Sequence, residues 1–251
     1  MLTSEIMKRT LFVSAAAASL LVAYLSASRG LVYPAQGATG TARIVVRVQL
    51  SGMPPAPAKT QAWADPYCEK AHHADPLFGP TVQVGPDGAL VDSLVFVSDG
   101  VSGTYATPQT PMSLDQEGCA YTPHVIGMRA GQPLQIVNHD ATLHTIHPMP
   151  TINPGFNIAM PVQGMKQTRI FAKPEPVFRI TCDVHLWESA YLATFAHPFF
   201  GVANRQGIVE LSNLPAGTFQ IQSWHEQYGV QMQTVSVSAD ETKQLTITYK
   251  G

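Results

Sequence analysis

Beyond about its first forty residues this chain never sustains an apolar period long enough for an amphipathic helix; each run of Val, Ile, Leu and Thr is soon cut by Pro, Gly or Asn. Twenty prolines and nineteen glycines supply most of the interruptions. Pro lacks a backbone N–H and Gly admits conformations that other residues avoid, so this punctuation ends elements rather than extending them. Short β-forming runs between turn residues predict an all-β chain. With 251 residues it forms one large or two small domains, each able to bury a core. Charged residues make up 13% and the net charge is −2, which leaves no basic face for nucleic acid.

The strands follow from alternation and turn signals. Ala42 to Leu50 alternates clearly, and the Pro-rich connector Gly52 to Ala58 follows it. The segment around Cys68, His72 and His73 has no period and reads as loop or short helix. Thr81–Val84 and Leu90–Val97 read as strands flanking the turn Gly85-Pro86-Asp87-Gly88, and Thr104–Ser113 as exposed turns. Val125–Arg129, Pro133–Asn138 and His144–His147 come next, then an irregular stretch from Pro148 to Gly164. Gln167–Ala172, Val177–Thr181 and Tyr191–Ala196 complete this group. After His197-Pro198 a fresh unit has strands at Gly207–Leu211, Thr218–Trp224, Gln231–Val237 and Lys243–Tyr249.

Residues 1–38 carry Lys8 and Arg9, an apolar run from Leu11 to Leu25, and the small residues Ser26, Ala27 and Ser28. This is the pattern of an export signal, and the run falls short of the about 20 apolar residues of a membrane span. An uncleaved N-terminal anchor is the alternative, and the only membrane contact expected. The remainder is expected to work outside the cytoplasm, in the periplasm or beyond. Three cysteines in an oxidising compartment leave one over. The economical pairing joins Cys68 to Cys119 and reserves Cys182 as a metal thiolate; the alternative pairs Cys182 with one of the others.

Cys182 and His185 stand three positions apart, and His144 lies upstream at the start of a β run. One thiolate and two imidazoles make the donor set that copper prefers. His147 follows His144 by an odd spacing, which on a strand turns it to the opposite face; it joins the site only if the backbone turns there. Asn138 is a candidate to orient the ligand loop. His124, His197 and His225 read as structural, and His72-His73 as exposed. Trp187 is either a docking surface or a core aromatic.

Two stretches resemble the cupredoxins, the plastocyanin and amicyanin family of copper β-sandwiches. The first runs Tyr121-Thr122-Pro123, Arg129-Ala130-Gly131-Gln132, Ile136-Val137-Asn138 and His144-Thr145-Ile146; the second is Phe178 to Glu188. The likeness covers residues 85–199 and implies a Greek-key β-sandwich with His144, Cys182 and His185 as equatorial copper ligands. Glu188 falls where the family's axial Met would stand, so the fourth ligand departs from the pattern; Met149, Met160 and Met165 are candidate replacements. A third stretch, Asn204 to Ile221 with Leu214-Pro215-Ala216-Gly217, resembles the carboxypeptidase-regulatory-like (transthyretin-like) β-sandwich. That resemblance implies a second, smaller and non-catalytic sandwich at residues 200–251, which the N-terminal β extension at 41–84 would complete.

The expected function is that of an exported copper-binding electron carrier that serves a redox protein partner. An axial carboxylate favours Cu(II) and lowers the potential. Two alternatives stand beside it: a copper redox enzyme with an open site, and a binding or structural protein whose metal site is vestigial. No Ser-His-Asp set, HExxH or phosphate loop appears.

Overall fold

The computed structural model describes residues 37–57, 59–79 and 82–251. The expected export segment thus lies outside the described residues except for its last two positions, as does Thr81 of the strand expected there. No described helix is long and apolar enough to cross a membrane.

Strands make up most of the described chain. They run β1 (Ala42–Ser51), β2 (Leu94–Asp99), β3 (Met112–Gln116), β4 (Tyr121–Thr122), β5 (Val125–Arg129), β6 (Pro133–Asn138), β7 (His144–Pro148) and β8 (Ile158–Met160). Then follow β9 (Lys166–Ile170), β10 (Glu175–Thr181), β11 (Ser189–Phe195), β12 (Phe200–Val202), β13 (Ile208–Leu214), β14 (Gly217–His225), β15 (Gly229–Val237) and β16 (Thr242–Lys250). One short α-helix, α1 (Pro66–Ala71), interrupts them. It forms because Asp65 caps it, accepting from the backbone N–H groups of Tyr67 at 2.7 Å and Cys68 at 3.1 Å, with Pro66 in the first turn.

The strands build four sheets that pack as two β-sandwiches. One pairs the sheet β5-β11-β10-β7-β8 with β4-β3-β6-β9 around Leu114, Ile126, Leu134, Ile136, Ile146 and Ile180. The other pairs β13-β1-β16 with β12-β2-β14-β15 around Ile44, Val46, Val95, Val97, Phe219 and Ile247. β1 lies between β13, antiparallel, and β16, parallel, so the N-terminal strand closes a sheet made by the C-terminal segment. Its alternation is complete, with Ala42, Ile44, Val46, Val48 and Leu50 all buried on one face.

Two strands are apolar on both faces. Val95 and Val97 of β2 enter one core, while Leu94 and Phe96 meet Val125, Ala193, Phe195 and Phe200 on the other side. β11 does the same, with Ala190 and Leu192 facing the core of Leu114 and Ile136 and Tyr191, Ala193 and Phe195 facing away from it. His124, its Nε2 2.8 Å from Glu226, adds an ion pair beside this contact layer.

The expected strand at Leu90–Val97 starts later, at Leu94, because Asp92 sits at φ 57 and breaks the extended run. β3, β4, β8 and β12 were not expected. β3 lies at the edge of a turn-rich stretch, β8 is three residues within the irregular one, and β4 and β12 are only two and three residues long.

Glu175, buried at the head of β10, fixes that stretch. Its carboxylate accepts from the successive N–H groups of Thr151, Ile152 and Asn153 at 2.7 to 2.9 Å, and from the side chains of Thr151 and Asn153. Burial alone would raise its pKa, but these donors outweigh burial and hold it at about 2. A depressed carboxylate pKa stabilises the fold above its unfolded value near 4.5, and that stabilisation is lost as pH falls toward 2. Glu175→Ala leaves three backbone N–H groups, that of Asn153 buried, without this acceptor and is expected to cost about 3 kcal/mol at pH 7. Urea unfolding at pH 7 and pH 3 checks it: the gap between wild type and variant should narrow at the lower pH.

Candidate metal centre

His144 opens β7, and the strand's alternation turns its side chain inward with Ile146, while Thr145 and His147 face the other way. Cys182 follows the last residue of β10, and the loop to β11 closes on itself. Cys182 N donates to the Glu188 carbonyl at 3.2 Å, and Glu188 N donates to the His185 carbonyl at 2.8 Å. This tight loop swings His185 and Glu188 back toward Cys182 and His144. The four side chains are sealed, with exposures of 0% for His144, 1% for Cys182 and His185, and 2% for Glu188.

Their donor atoms converge, each within 4.8 Å of the others. His144 Nδ1 lies 3.0 Å from His185 Nδ1 and 2.8 Å from Glu188 Oε2. Cys182 Sγ is 3.8 Å from His185 Nδ1 and accepts backbone N–H groups from Thr145 at 3.3 Å and His185 at 3.4 Å. Glu188 Oε1 is buried without a hydrogen-bond partner.

The far side of each ring is tied to a carboxylate. His144 Nε2 donates to Asp140 Oδ2 at 3.0 Å, and His185 Nε2 donates to Asp65 Oδ2 at 3.3 Å. These bonds set the tautomers and leave both Nδ1 lone pairs aimed into the cluster. Asp140 is held in turn by Gly118 N, Cys119 N and Tyr67 Oη. Asn138 shapes the connecting loop: its Oδ1 accepts from Asp140 N at 2.8 Å and its amide donates to Thr142 and Met160 carbonyls.

The electrostatics follow from this geometry. Burial depresses the basicity of both rings, but hydrogen bonds to Asp140, Cys182 and Glu188 push His144 up to about 11. Cys182, Glu188 and Asp65 likewise bring His185 to about 9. Burial would keep Cys182 and Glu188 protonated, yet the two imidazoles hold both below their ordinary values. The pocket therefore attracts positive charge. Two Nδ1–H groups at 3.0 Å would aim their protons at one another, so the charge is held best as one cation shared by all four donors. Two borderline nitrogens, a thiolate sulfur and a carboxylate oxygen fit a transition metal.

The other sequence candidates lie elsewhere. His147 bonds Asp183 through Nδ1 at 3.0 Å on the outer face, outside the cluster, because β7 runs straight through this position. Met149 is exposed and Met165 is half-buried against the apolar core, whereas Met160 is fully buried directly across the β7–β8 ladder from His144. His124 bonds Glu226 and the Ser189 carbonyl, and His72 bonds the Gly118 carbonyl. Trp187 packs on the His185 ring with centroids 5.1 Å apart and donates to the Cys119 carbonyl, so it is part of the packing around the centre. Cys68 and Cys119 form a disulfide, and Cys182 is free. Asp65 and Asp140 were missed. Asp65 had no local signal, whereas Asp140, four residues before His144 in Asn138-His139-Asp140, could have been weighed.

No protein-family model and no curated protein sequence matches the chain. Solved structures do resemble it, cupredoxins among them. A purple cupredoxin from Nitrosopumilus maritimus is 16% identical over 33% of this chain and 98% of its own, with a TM-score of 0.29. A methionine-to-alanine mutant of amicyanin in its Cu(I) form is 13% identical over 34% of this chain and 82% of its own, with a TM-score of 0.30. A copper-containing nitrite reductase from Thermus scotoductus SA-01 is 14% identical over 60% of this chain and 28% of its own, with a TM-score of 0.31.

The metal-free protein should lose stability as alkali is added. A raised imidazole pKa stabilises fully below the unfolded value near 6.5 and is lost as pH rises through the folded value, here for the one extra proton that His144 and His185 share through their Nδ1 atoms. Imidazole NMR titration alongside thermal unfolding from pH 6 to 11 measures this; ring signals that titrate near 6.5 would rule out the buried charge cluster.

Proposed function

We propose that this is an exported copper protein whose single centre is formed by His144, Cys182 and His185 with Glu188 as the fourth donor, and that it serves as a one-electron carrier or redox-partner module. The observation that carries the reading is the convergence of four sealed donors whose two rings are each held from behind by a carboxylate. Copper bound there supplies reversible one-electron chemistry between Cu(I) and Cu(II). The chain's own part is rigidity. Asp140 and Asp65 fix the ring tautomers, and the N–H groups of Thr145 and His185 hold the sulfur of Cys182 in place. Glu188, with one oxygen bonded to His144 and the other unpartnered, offers a harder and charged donor than a thioether. It should favour the oxidised state and lower the potential.

The second sandwich is read as a transthyretin-like, non-catalytic unit that packs against the copper-binding one. The export motif at residues 1–38 and the disulfide support work in the periplasm or outside the cell. A protein partner is expected to exchange the electron.

Copper titration followed by visible and EPR spectra tests the assignment. One equivalent should bind, with loss of all thiolate-to-copper absorption in Cys182→Ser. Glu188→Met should shift the spectrum toward an ordinary blue centre and raise the potential. A blue spectrum unchanged in Glu188→Ala would remove the carboxylate from the centre. Asp140→Asn should weaken copper binding on the order of 10- to 100-fold, read by competition with a chelator.

A further inference from the structure

The far nitrogen of His185 faces a second set of donors. Its Nε2 lies 3.3 Å from Asp65 Oδ2 and 3.6 Å from Cys68 Sγ. Asp65, Cys68 and His185 place one ligand atom each within 4.8 Å of the others. Cys68 is bonded to Cys119, so a second sulfur sits beside the first. The loop carrying Cys119 is fixed independently, because Asp140 accepts the N–H groups of Gly118 and Cys119. Breaking the bond between the sulfurs would leave two thiols at this position, one of them already beside Asp65 and His185.

We infer that breaking the Cys68–Cys119 disulfide creates a second metal site, built from both thiolates, Asp65 and His185 Nε2, that takes a soft divalent cation. The chemistry balances simply. A dithiol reductant passes two electrons and two protons to the disulfide and leaves as its own disulfide. The two new thiols each release a proton on binding the cation, and His185 moves its proton from Nε2 to Nδ1 to free the Nε2 lone pair, so two thiolates and one carboxylate face a charge of +2. Four ligands of this kind suit tetrahedral coordination by a zinc-like ion. The sulfurs are buried, but the apolar cluster over them is small: Ala62, Cys68 and Cys119 with Tyr67, Leu77 and Trp187. A local opening of α1 exposes them without disturbing either sandwich core.

The two sites share one ring. A neutral imidazole has a single lone pair, so His185 serves the Cys182 centre through Nδ1 or the new site through Nε2, but not both while it stays neutral. Reduction of the disulfide therefore loosens the grip of the first site as it opens the second. This competition rests on the copper reading above; the existence of the second site does not.

Cadmium is the probe, because it is redox-silent and its thiolate complexes absorb in the near ultraviolet. The full chain carrying Cys182→Ser removes the other thiolate, so any such absorption reports Cys68 and Cys119. After treatment with a dithiol and its removal under inert gas, this variant should bind one cadmium ion with thiolate absorption. The untreated variant should show none. Adding Asp65→Asn or His185→Gln should weaken binding at least about tenfold. Absence of the band in the reduced variant overturns the proposal, and so does undiminished affinity in both of those substitutions, which would mean the sulfurs act alone. Copper binding by the oxidised wild type is a separate measurement, and its failure would remove the copper reading while leaving the second site standing.

Discussion

Two carboxylates standing behind two imidazoles organise this molecule. Asp140 and Asp65 fix which nitrogen of His144 and His185 carries a proton, and so decide that the other nitrogen of each ring points at Cys182 and Glu188. Neither acid acts alone. Asp140 is gripped by the Gly118–Cys119 turn and by Tyr67, and Asp65 is the capping residue of α1. The disulfide joins those two supports. Residues near positions 65, 119, 140 and 185 thus form one connected brace, and a change in any of them is felt by the ring orientations.

Burying two acids and two bases together is costly, since each ion surrenders its hydration and recovers it only through well-placed partners. Here the partners are mostly present, with one oxygen of Glu188 the exception. A pocket that needed only stability would be filled more cheaply by apolar side chains. Four ionisable donors at one point suit a ligand of positive charge, and sulfur beside nitrogen suits a transition metal.

Strands such as β5 and β6 were legible because their signals are local. Val125–Arg129 and Pro133–Asn138 appear with the bounds their alternation predicts, and the odd spacing of His147 from His144 placed it on the outer face. The Cys182–Glu188 spacing was equally local, since one short loop carries three of the four donors. Asp65 was invisible for the opposite reason: it reaches His185 across 120 positions, and nothing in Ala64-Asp65-Pro66 distinguishes a helix cap from one that also supports a distant ring. The late start of β2 was hidden by Asp92, whose left-handed backbone breaks a run that reads as continuous. β3 was missed because its inward residues include Gln116, a polar side chain buried by its bond to the Thr145 carbonyl.

The strands that are apolar on both sides carry a further consequence. Because Leu94 and Phe96 of β2 lie against Val125, Ala193 and Phe195, each sandwich hides a greasy outer wall belonging to the other. Severing the polypeptide between them would leave that wall wet on both pieces, and each would be driven to cover it with whatever apolar surface came first. The half that carries the four converging donors is thus not a portable module that the rest merely accompanies; its solubility depends on its neighbour.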